Sequence, residues 1–165
     1  MQRTWPRSKI NSKHRWGSDP CRRPFETRPA ELEYVGQRVK ELVGGRPPEH
    51  VCIVARTNKL VKDDYQPMLR SLGIPSTLLD QKREGAGVRL ATVHRVKGLE
   101  FPVMVLAGIN ARYMPLQLNP KDDDPIAAAN HEFREWSLLF VAATRARDML
   151  VVTNWGTPSP FLPPK

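Results

Sequence analysis

Residues 88–101 combine several side chains that suit contact with phosphates and sugars. The segment reads VRLATVHRVKGLEF, an apolar run followed by these polar residues and a glycine: Thr92, His94, Arg95, Lys97, Gly98 and Glu100. A hydroxyl, an imidazole and cations can meet a phosphate chain, and a carboxylate can accept hydrogen bonds from a ribose. A glycine lets the backbone approach a ligand closely. A solvated turn with a structural glycine would have the same composition, so the residue types alone leave both interpretations open.

Residues 136–148, WSLLFVAATRARD, form the second segment of interest. An apolar run with small residues at 142, 143 and 146 predicts a helix that packs tightly on a sheet. It ends near Arg145 and Arg147. An arginine held at a packed helix end can stabilise phosphoryl-transfer charge on a neighbouring domain. The simpler alternative is that these cations complement the helix dipole, and for this segment alone that alternative is favoured.

Periodic apolar patterns predict the elements that position these residues. Helices are expected near 32–43, 60–72 and 126–146, and strands near 51–55, 76–79, 88–93, 103–107 and 149–153. Strands that alternate with helices predict an α/β fold, a mainly parallel sheet covered on both faces. In such sheets, ligands bind at loops near the strand ends.

The charge of +9 is unevenly distributed along the 165 residues. Residues 1–30 carry eight basic and two acidic side chains, which leaves a net +3 for the remainder. Because residues 1–29 also lack a periodic apolar pattern, we predict a basic, disordered or loosely attached arm there. Such an arm can attract nucleic acid at low salt or be only a solvated tail, and the tail is favoured. The folded domain is expected at 30–155, followed by a Pro-rich tail at 156–165.

Other site classes find little support in the sequence. The two cysteines form no CxxC pair and the four histidines are scattered, so no metal site is predicted. No apolar stretch approaches the roughly 20 residues of a membrane-spanning helix. A signal peptide is also not evident. We therefore predict a cytoplasmic protein without a membrane partner.

Together, the two segments resemble conserved helicase motifs. TVHRVKGLEF at 92–101 resembles motif V of the UvrD/Rep/PcrA branch of superfamily 1 DNA helicases, and LFVAATRAR at 139–147 resembles motif VI. Residues 51–58 and 72–75 resemble the stretch that precedes motif V, so the similarity spans about 30–162. It implies a second RecA-like domain, a three-layer α/β/α unit of P-loop NTPase type. It also implies the C-terminal motor domain of an ATP-dependent, 3′–5′ DNA helicase or translocase.

The resemblance implies two groups of site residues. Those matching contacts to single-stranded DNA are Thr92, His94 and Arg95. Those matching contacts to ATP are Lys97, Gly98, Glu100 and Arg145, where Arg145 corresponds to the arginine finger. Arg147 is given no role.

The sequence also departs from this family in ways that limit its activity. No GxxxxGK[ST] loop occurs, and no apolar strand ends in a DExx-type acidic pair. The usual Asn-Tyr-Arg signature near the start of this domain is absent, as is the accessory-domain insertion before residue 88. ATP would therefore be shared with an N-terminal helicase half that carries Walker A and B and anchors Mg²⁺. This chain alone is not expected to hydrolyse ATP. The alternatives are a non-catalytic nucleic-acid-binding module and a non-functional gene fragment.

Overall fold

A computed structural model describes residues 21–79, 85–117 and 124–162. Its six strands are β1 (Cys21–Phe25), β2 (Val51–Ala55), β3 (Ser76–Leu78), β4 (Val88–Thr92), β5 (Phe101–Leu106) and β6 (Ala146–Trp155). Its α-helices are α1 (Arg28–Gly44), α2 (Asn58–Leu60), α3 (Gln66–Ser71) and α4 (Pro125–Ala143). A π-helical turn, Val61–Tyr65, joins α2 to α3, and a 3-10 turn, Pro48–His50, precedes β2.

The six strands form one sheet in the order β1-β6-β5-β2-β4-β3, and every neighbouring pair is parallel. The sheet confirms the predicted α/β class. Central strand β2 is buried along its whole length. Its apolar sequence, VCIVA, fits a strand that is covered on both faces.

An apolar core lies on each face of the sheet. On one face α1 and the helical segment after β2 contribute Val35, Val39, Tyr65 and Leu69 among others. On the other face α4 packs through Leu139 and Ala142, beside buried residues that follow β4. Helices on both sides of a parallel sheet give the predicted three-layer arrangement.

The prediction of a disordered arm over 1–29 is wrong for its described part. Cys21–Phe25 forms edge strand β1, which pairs in parallel with Val151–Trp155 of β6. Helix α1 then begins at Arg28, where the side chain of Thr27 accepts a hydrogen bond from the backbone N–H of Ala30. The strand escaped prediction because its side chains are mostly exposed and show no apolar pattern; main-chain pairing holds it. Residues 1–20 lie outside the described residues.

The described part of the predicted Pro-rich tail, residues 156–162, is irregular in conformation but contributes to the core. Phe161 and Leu162 are buried against the α4 side of the sheet. Asn110 also forms an isolated bridge with Pro158, which ties the tail to the loop after β5. The tail therefore continues the packed domain beyond the boundary predicted at residue 155.

The predicted helix over 126–146 ends earlier, at Ala143. Strand β6 begins at Ala146, so Thr144 and Arg145 form the whole junction between helix and strand. The helix predicted at 60–72 contains a π-helical turn, Val61–Tyr65, directly before Gln66–Ser71, whose second residue, Pro67, has no backbone N–H to donate.

Candidate functional site

Apart from Arg145, the predicted site residues lie at the end of β4 and along the segment that connects it to β5. Strand β4 ends at Thr92 and β5 begins at Phe101, yet both strands point the same way. Residues 93–100 must therefore return from the side of the sheet where the strands end to the side where they begin. These two sides are called the carboxyl edge and the amino edge. The register fixes these ends, since Thr92 pairs with Ala55 and Val103 pairs with Val51 at opposite ends of β2. Five residues of strand separate the edges by about 16 Å.

Buried valines hold this crossing segment against the sheet. Val93 and Val96 are almost completely buried on the α4 side. The backbone N–H of Val93 donates to the carbonyl of Ala55 at 3.1 Å, and that of Leu99 donates to Val96 at 3.1 Å. With the apolar side chains anchored, the remaining positions of the segment are exposed: His94, Arg95, Lys97, Gly98, Leu99 and Glu100.

Gly98 satisfies a backbone requirement within the crossing segment. Its φ of +83° lies in the left-handed region that favours glycine. A Cβ at this position would meet no atom within 4 Å. The open space therefore leaves the backbone accessible, as a close approach by a ligand requires.

The three residues predicted to contact DNA lie at or just beyond the carboxyl edge of the sheet. His94 and Arg95 are exposed, whereas Thr92 is only 8% exposed and offers little surface. Partial burial lowers the pKa of His94; the charge of Arg56 adds to this effect and that of Glu135 opposes it. A depressed pKa favours the neutral imidazole, which can donate one hydrogen bond and accept another.

Arg145 lies at the amino edge of the sheet, next to the end of the crossing segment. The backbone N–H of Phe101 donates to the carbonyl of Arg145 at 3.0 Å, so Glu100 and Arg145 are close neighbours through the backbone. The half-buried guanidinium makes two long hydrogen bonds, to the Val141 carbonyl at 3.3 Å and to Thr144 Oγ1 at 3.5 Å. Within the described ranges its other N–H groups have no partner, so they remain available to a ligand.

The structure thus separates the two predicted groups. Thr92, His94 and Arg95 lie near one edge of the sheet, and Glu100 and Arg145 lie at the other, with Gly98 on the path between them. In the described part of the chain, Lys97 and Glu100 take part in no hydrogen bond or ion pair. Their charges are therefore not committed to the fold.

Sequence reasoning missed a buried ion pair beside His94. Arg56 and Glu135 are 8% and 3% exposed, with Arg56 Nε 2.9 Å from one carboxylate oxygen of Glu135 and Nη2 2.6 Å from the other. Burial acts to raise the pKa of Glu135, but hydrogen bonds from Arg56 and the backbone N–H of Leu116 outweigh it, and the pKa is lowered. The sequence held a signal for the burial of Glu135, which shares a helix face with Leu139 and Ala142, but none for its partner Arg56.

A second buried carboxylate, also missed, lies on the opposite face of the sheet. Glu31 accepts hydrogen bonds from the Gly108 N–H at 2.7 Å, the Tyr65 hydroxyl at 3.0 Å and the Thr153 hydroxyl. Burial raises its pKa, although these hydrogen bonds act in the opposite direction. The Glu31 carboxylate thus joins α1 to the carboxyl ends of β5 and β6. Its spacing of four from Val35 on the buried face of α1 was the available signal.

The amino-edge residues fit one side of a bound nucleotide. An unpaired carboxylate at Glu100, a nearby lysine and a guanidinium with free donors match the chemistry of ribose and phosphates. The phosphate-cradling loop is missing from the sequence. Among the residues that the structure describes, no three His, Cys, Asp or Glu side chains cluster as metal ligands. No described helix has the length and apolar character to cross a membrane.

Comparisons with known proteins converge on one family. Residues 77–155, which contain the two segments at 88–101 and 136–148 in full, match the family model of the UvrD-like helicase C-terminal domain. The PcrA ATP-dependent DNA helicase of Leuconostoc citreum is 36% identical over 95 residues, covering 56% of this chain and 12% of that protein. An ATP-dependent helicase/nuclease protein from Desulforudis audaxviator is 35% identical over 95 residues, covering 41% of this chain and 8% of that protein. The chain thus spans about a tenth of the length of these relatives.

The fold also has a solved counterpart. The C-terminal domain of a possible DNA helicase from Lactobacillus plantarum WCFS1 superposes with a TM-score of 0.66. The match covers 89% of this chain and 80% of that one, at 19% sequence identity. This similarity supports the architecture of the sheet and its two helical layers.

Proposed function

We propose that the chain works as the C-terminal motor domain of an ATP-dependent DNA helicase or translocase, because residues 77–155 match the UvrD-like helicase C-terminal domain. The observation that carries the proposal is the position of Arg145, in the short junction next to Glu100 with free guanidinium donors. A packed helix end with such a group suits a contact made across a domain interface.

In this proposal, ATP binds between this domain and a first motor lobe that carries the Walker A loop, Walker B and Mg²⁺. Arg145 acts as the arginine finger and stabilises the charge that develops on the transferred phosphoryl group. Glu100 accepts hydrogen bonds from the ribose. Lys97 adds positive charge, and Gly98 allows close backbone approach.

Single-stranded DNA binds at the carboxyl edge of the sheet in the same proposal. His94 and Arg95 contact the sugar–phosphate backbone, and Thr92 contributes a smaller contact because it is largely buried. Binding that rests on phosphates is tolerant of sequence and weakens with salt. Closing and opening of the ATP cleft would then move this edge along the strand, with 3′–5′ polarity expected for the family.

A two-lobe protein tests the proposal directly. The chain alone and the chain joined to a first motor lobe of PcrA type are assayed for ATP hydrolysis with and without a single-stranded oligonucleotide. We expect DNA-stimulated hydrolysis only in the joined protein. Absence of hydrolysis in a folded, joined protein would contradict the motor function.

A second candidate is a nucleic-acid-binding module that uses no ATP. It is favoured by the exposed His94 and Arg95 together with the absence of GxxxxGK[ST] from the sequence. In this case the oligonucleotide binds with the same affinity whether or not ATP and the first lobe are present. The motor instead predicts an affinity that depends on the nucleotide.

A further inference from the structure

We infer that the buried Arg56–Glu135 ion pair is a positioning element for the nucleic-acid contact, because it fixes the end of β2 to helix α4, and the end of β2 pairs with the start of the crossing segment that carries His94. The inference rests on the proposed role of His94. It assigns no direct ligand contact to the pair itself, since both side chains are buried.

Backbone pairing places Arg56 beside His94. Ala55 and Thr92 are register partners at the carboxyl ends of β2 and β4, and the Ala55 carbonyl accepts a hydrogen bond from the Val93 N–H at 3.1 Å. Arg56 directly follows Ala55, and His94 directly follows Val93. The direction in which the chain leaves β2 is thus coupled to the direction in which the crossing segment leaves β4.

The ion pair has a geometry that only arginine provides. Two guanidinium nitrogens meet the two carboxylate oxygens of Glu135 at 2.9 and 2.6 Å. A planar fork held at two points fixes orientation, whereas a lysine ammonium is a single point charge. The Leu116 N–H donates to the same carboxylate at 3.1 Å, which orients it from a third direction.

Helix α4 connects this pair to the other edge of the sheet. From Glu135, α4 continues to Ala143, about 12 Å along the helix axis, and Thr144 then leads to Arg145. The two sheet edges lie about 16 Å apart for five residues of strand, so the helix covers most of that distance. One rigid element therefore holds the surroundings of His94 and leads directly into the junction that carries Arg145.

The charges around His94 provide a specific readout. Arg56 faces it from the end of β2 and Glu135 from α4, and Arg95 is its chain neighbour. His131 lies one turn before Glu135 and its Nε2 is 2.7 Å from the Leu116 carbonyl. Arg56 lowers and Glu135 raises the pKa of His94. Removing the charge of Arg56 should therefore raise this pKa, and removing the charge of Glu135 should lower it.

The first test measures the pKa of His94 by NMR titration of the full chain without nucleic acid. Arg56→Gln should raise that pKa and Glu135→Gln should lower it. If both substitutions only loosened the fold, His94 would become more exposed in each case and both shifts would be upward. Shifts of the same sign, or none, in folded variants overturn the inference. Should Glu135→Gln not fold, the double variant Arg56→Gln/Glu135→Gln leaves no unpaired charge and should raise the pKa, because Arg56 has the larger effect.

The second test is a double-mutant cycle on binding of a fluorescein-labelled oligothymidylate, followed by anisotropy. Arg56→Lys keeps the charge but loses the fork. We expect His94→Ala to weaken binding of the oligonucleotide by the wild-type chain. In the Arg56→Lys background, the loss of affinity caused by His94→Ala should be about threefold smaller, as is usual for coupled neighbours. Equal factors in both backgrounds contradict the inference.

A matched control and a separate outcome complete the design. Arg38 and Glu41 form an exposed ion pair at 3.0 Å on α1, so Arg38→Lys and His94→Ala should be additive. If the folded wild-type chain does not bind the oligonucleotide, the proposed DNA contact fails, and the NMR shifts alone then decide whether the pair positions His94.

Discussion

Loss of the Glu31 carboxylate should strongly destabilise the domain. Its side chain is completely buried and accepts three hydrogen bonds, from Tyr65, Thr153 and the backbone of Gly108. In Glu31→Ala these three donors lose their acceptor in a place that water does not reach. A buried, unsatisfied donor costs about 1 to 3 kcal/mol.

The expected magnitude follows from those three donors. Because the two hydroxyls can rotate while the Gly108 N–H cannot, we use the lower end of the range and expect a loss of roughly 3 to 5 kcal/mol. Glu31→Gln keeps the shape and one acceptor oxygen and removes the buried charge, so we expect it to cost about 2 kcal/mol or less.

The pH dependence of Glu31 has a defined sign. Its pKa is raised in the folded protein, chiefly by burial. The folded state therefore holds this proton more tightly than the unfolded state. The resulting stability is fully present below the unfolded value of 4.5 and is lost as pH rises through the folded value. The stability of the wild type relative to Glu31→Gln should thus increase on acidification across this window.

Urea unfolding followed by circular dichroism measures these free energies. Glu33→Ala is the matched control, an exposed glutamate two residues further along α1, and it should change stability by about 0.5 kcal/mol or less. If the free energies of unfolding of Glu31→Ala and Glu33→Ala differed by about 1 kcal/mol or less, the buried carboxylate would not join α1 to the sheet as described.

The packing leads to two further predictions, one for a pair of glycine substitutions and one for cysteine labelling. Gly108→Ala should cost at least about 1 kcal/mol more than Gly73→Ala in urea unfolding; both residues have a φ of +69°, but a Cβ at Gly108 would lie 2.8 Å from an indole carbon, whereas one at Gly73 meets nothing. Equal costs would contradict the close packing. In native protein at pH 8, a thiol reagent should modify exposed Cys21 rapidly and buried Cys52, whose pKa is raised by burial, only after unfolding. Rapid reaction of both thiols without denaturant would argue against the buried position of β2.

The apolar patterns predicted the centre of the fold well. The run at 51–55 has the predicted strand bounds, and the strand predicted at 88–93 corresponds to Val88–Thr92. These elements are specified by local apolar side chains that the sheet buries. Edge strand β1 was not predicted because main-chain pairing with β6 holds it and its side chains face solvent.

The candidate site was only partly accessible from the sequence. Motif spacing predicted site residues in the crossing segment and at Arg145, but not that the two predicted groups lie at opposite edges of the sheet. That separation depends on the register of β4 and β5 around β2, which arises from tertiary pairing. The Arg56–Glu135 pair joins residues 79 positions apart, and no local pattern in a single sequence reports such a contact.

The most direct measurement of the central claim is DNA-stimulated ATP hydrolysis by the two-lobe protein carrying Arg145→Ala. We predict that the substitution lowers the rate by a factor on the order of 10³ to 10⁵ while ATP still binds. Arg134→Ala, which removes an exposed arginine from α4, should leave the rate unchanged. Hydrolysis by Arg145→Ala at the wild-type rate would contradict the account.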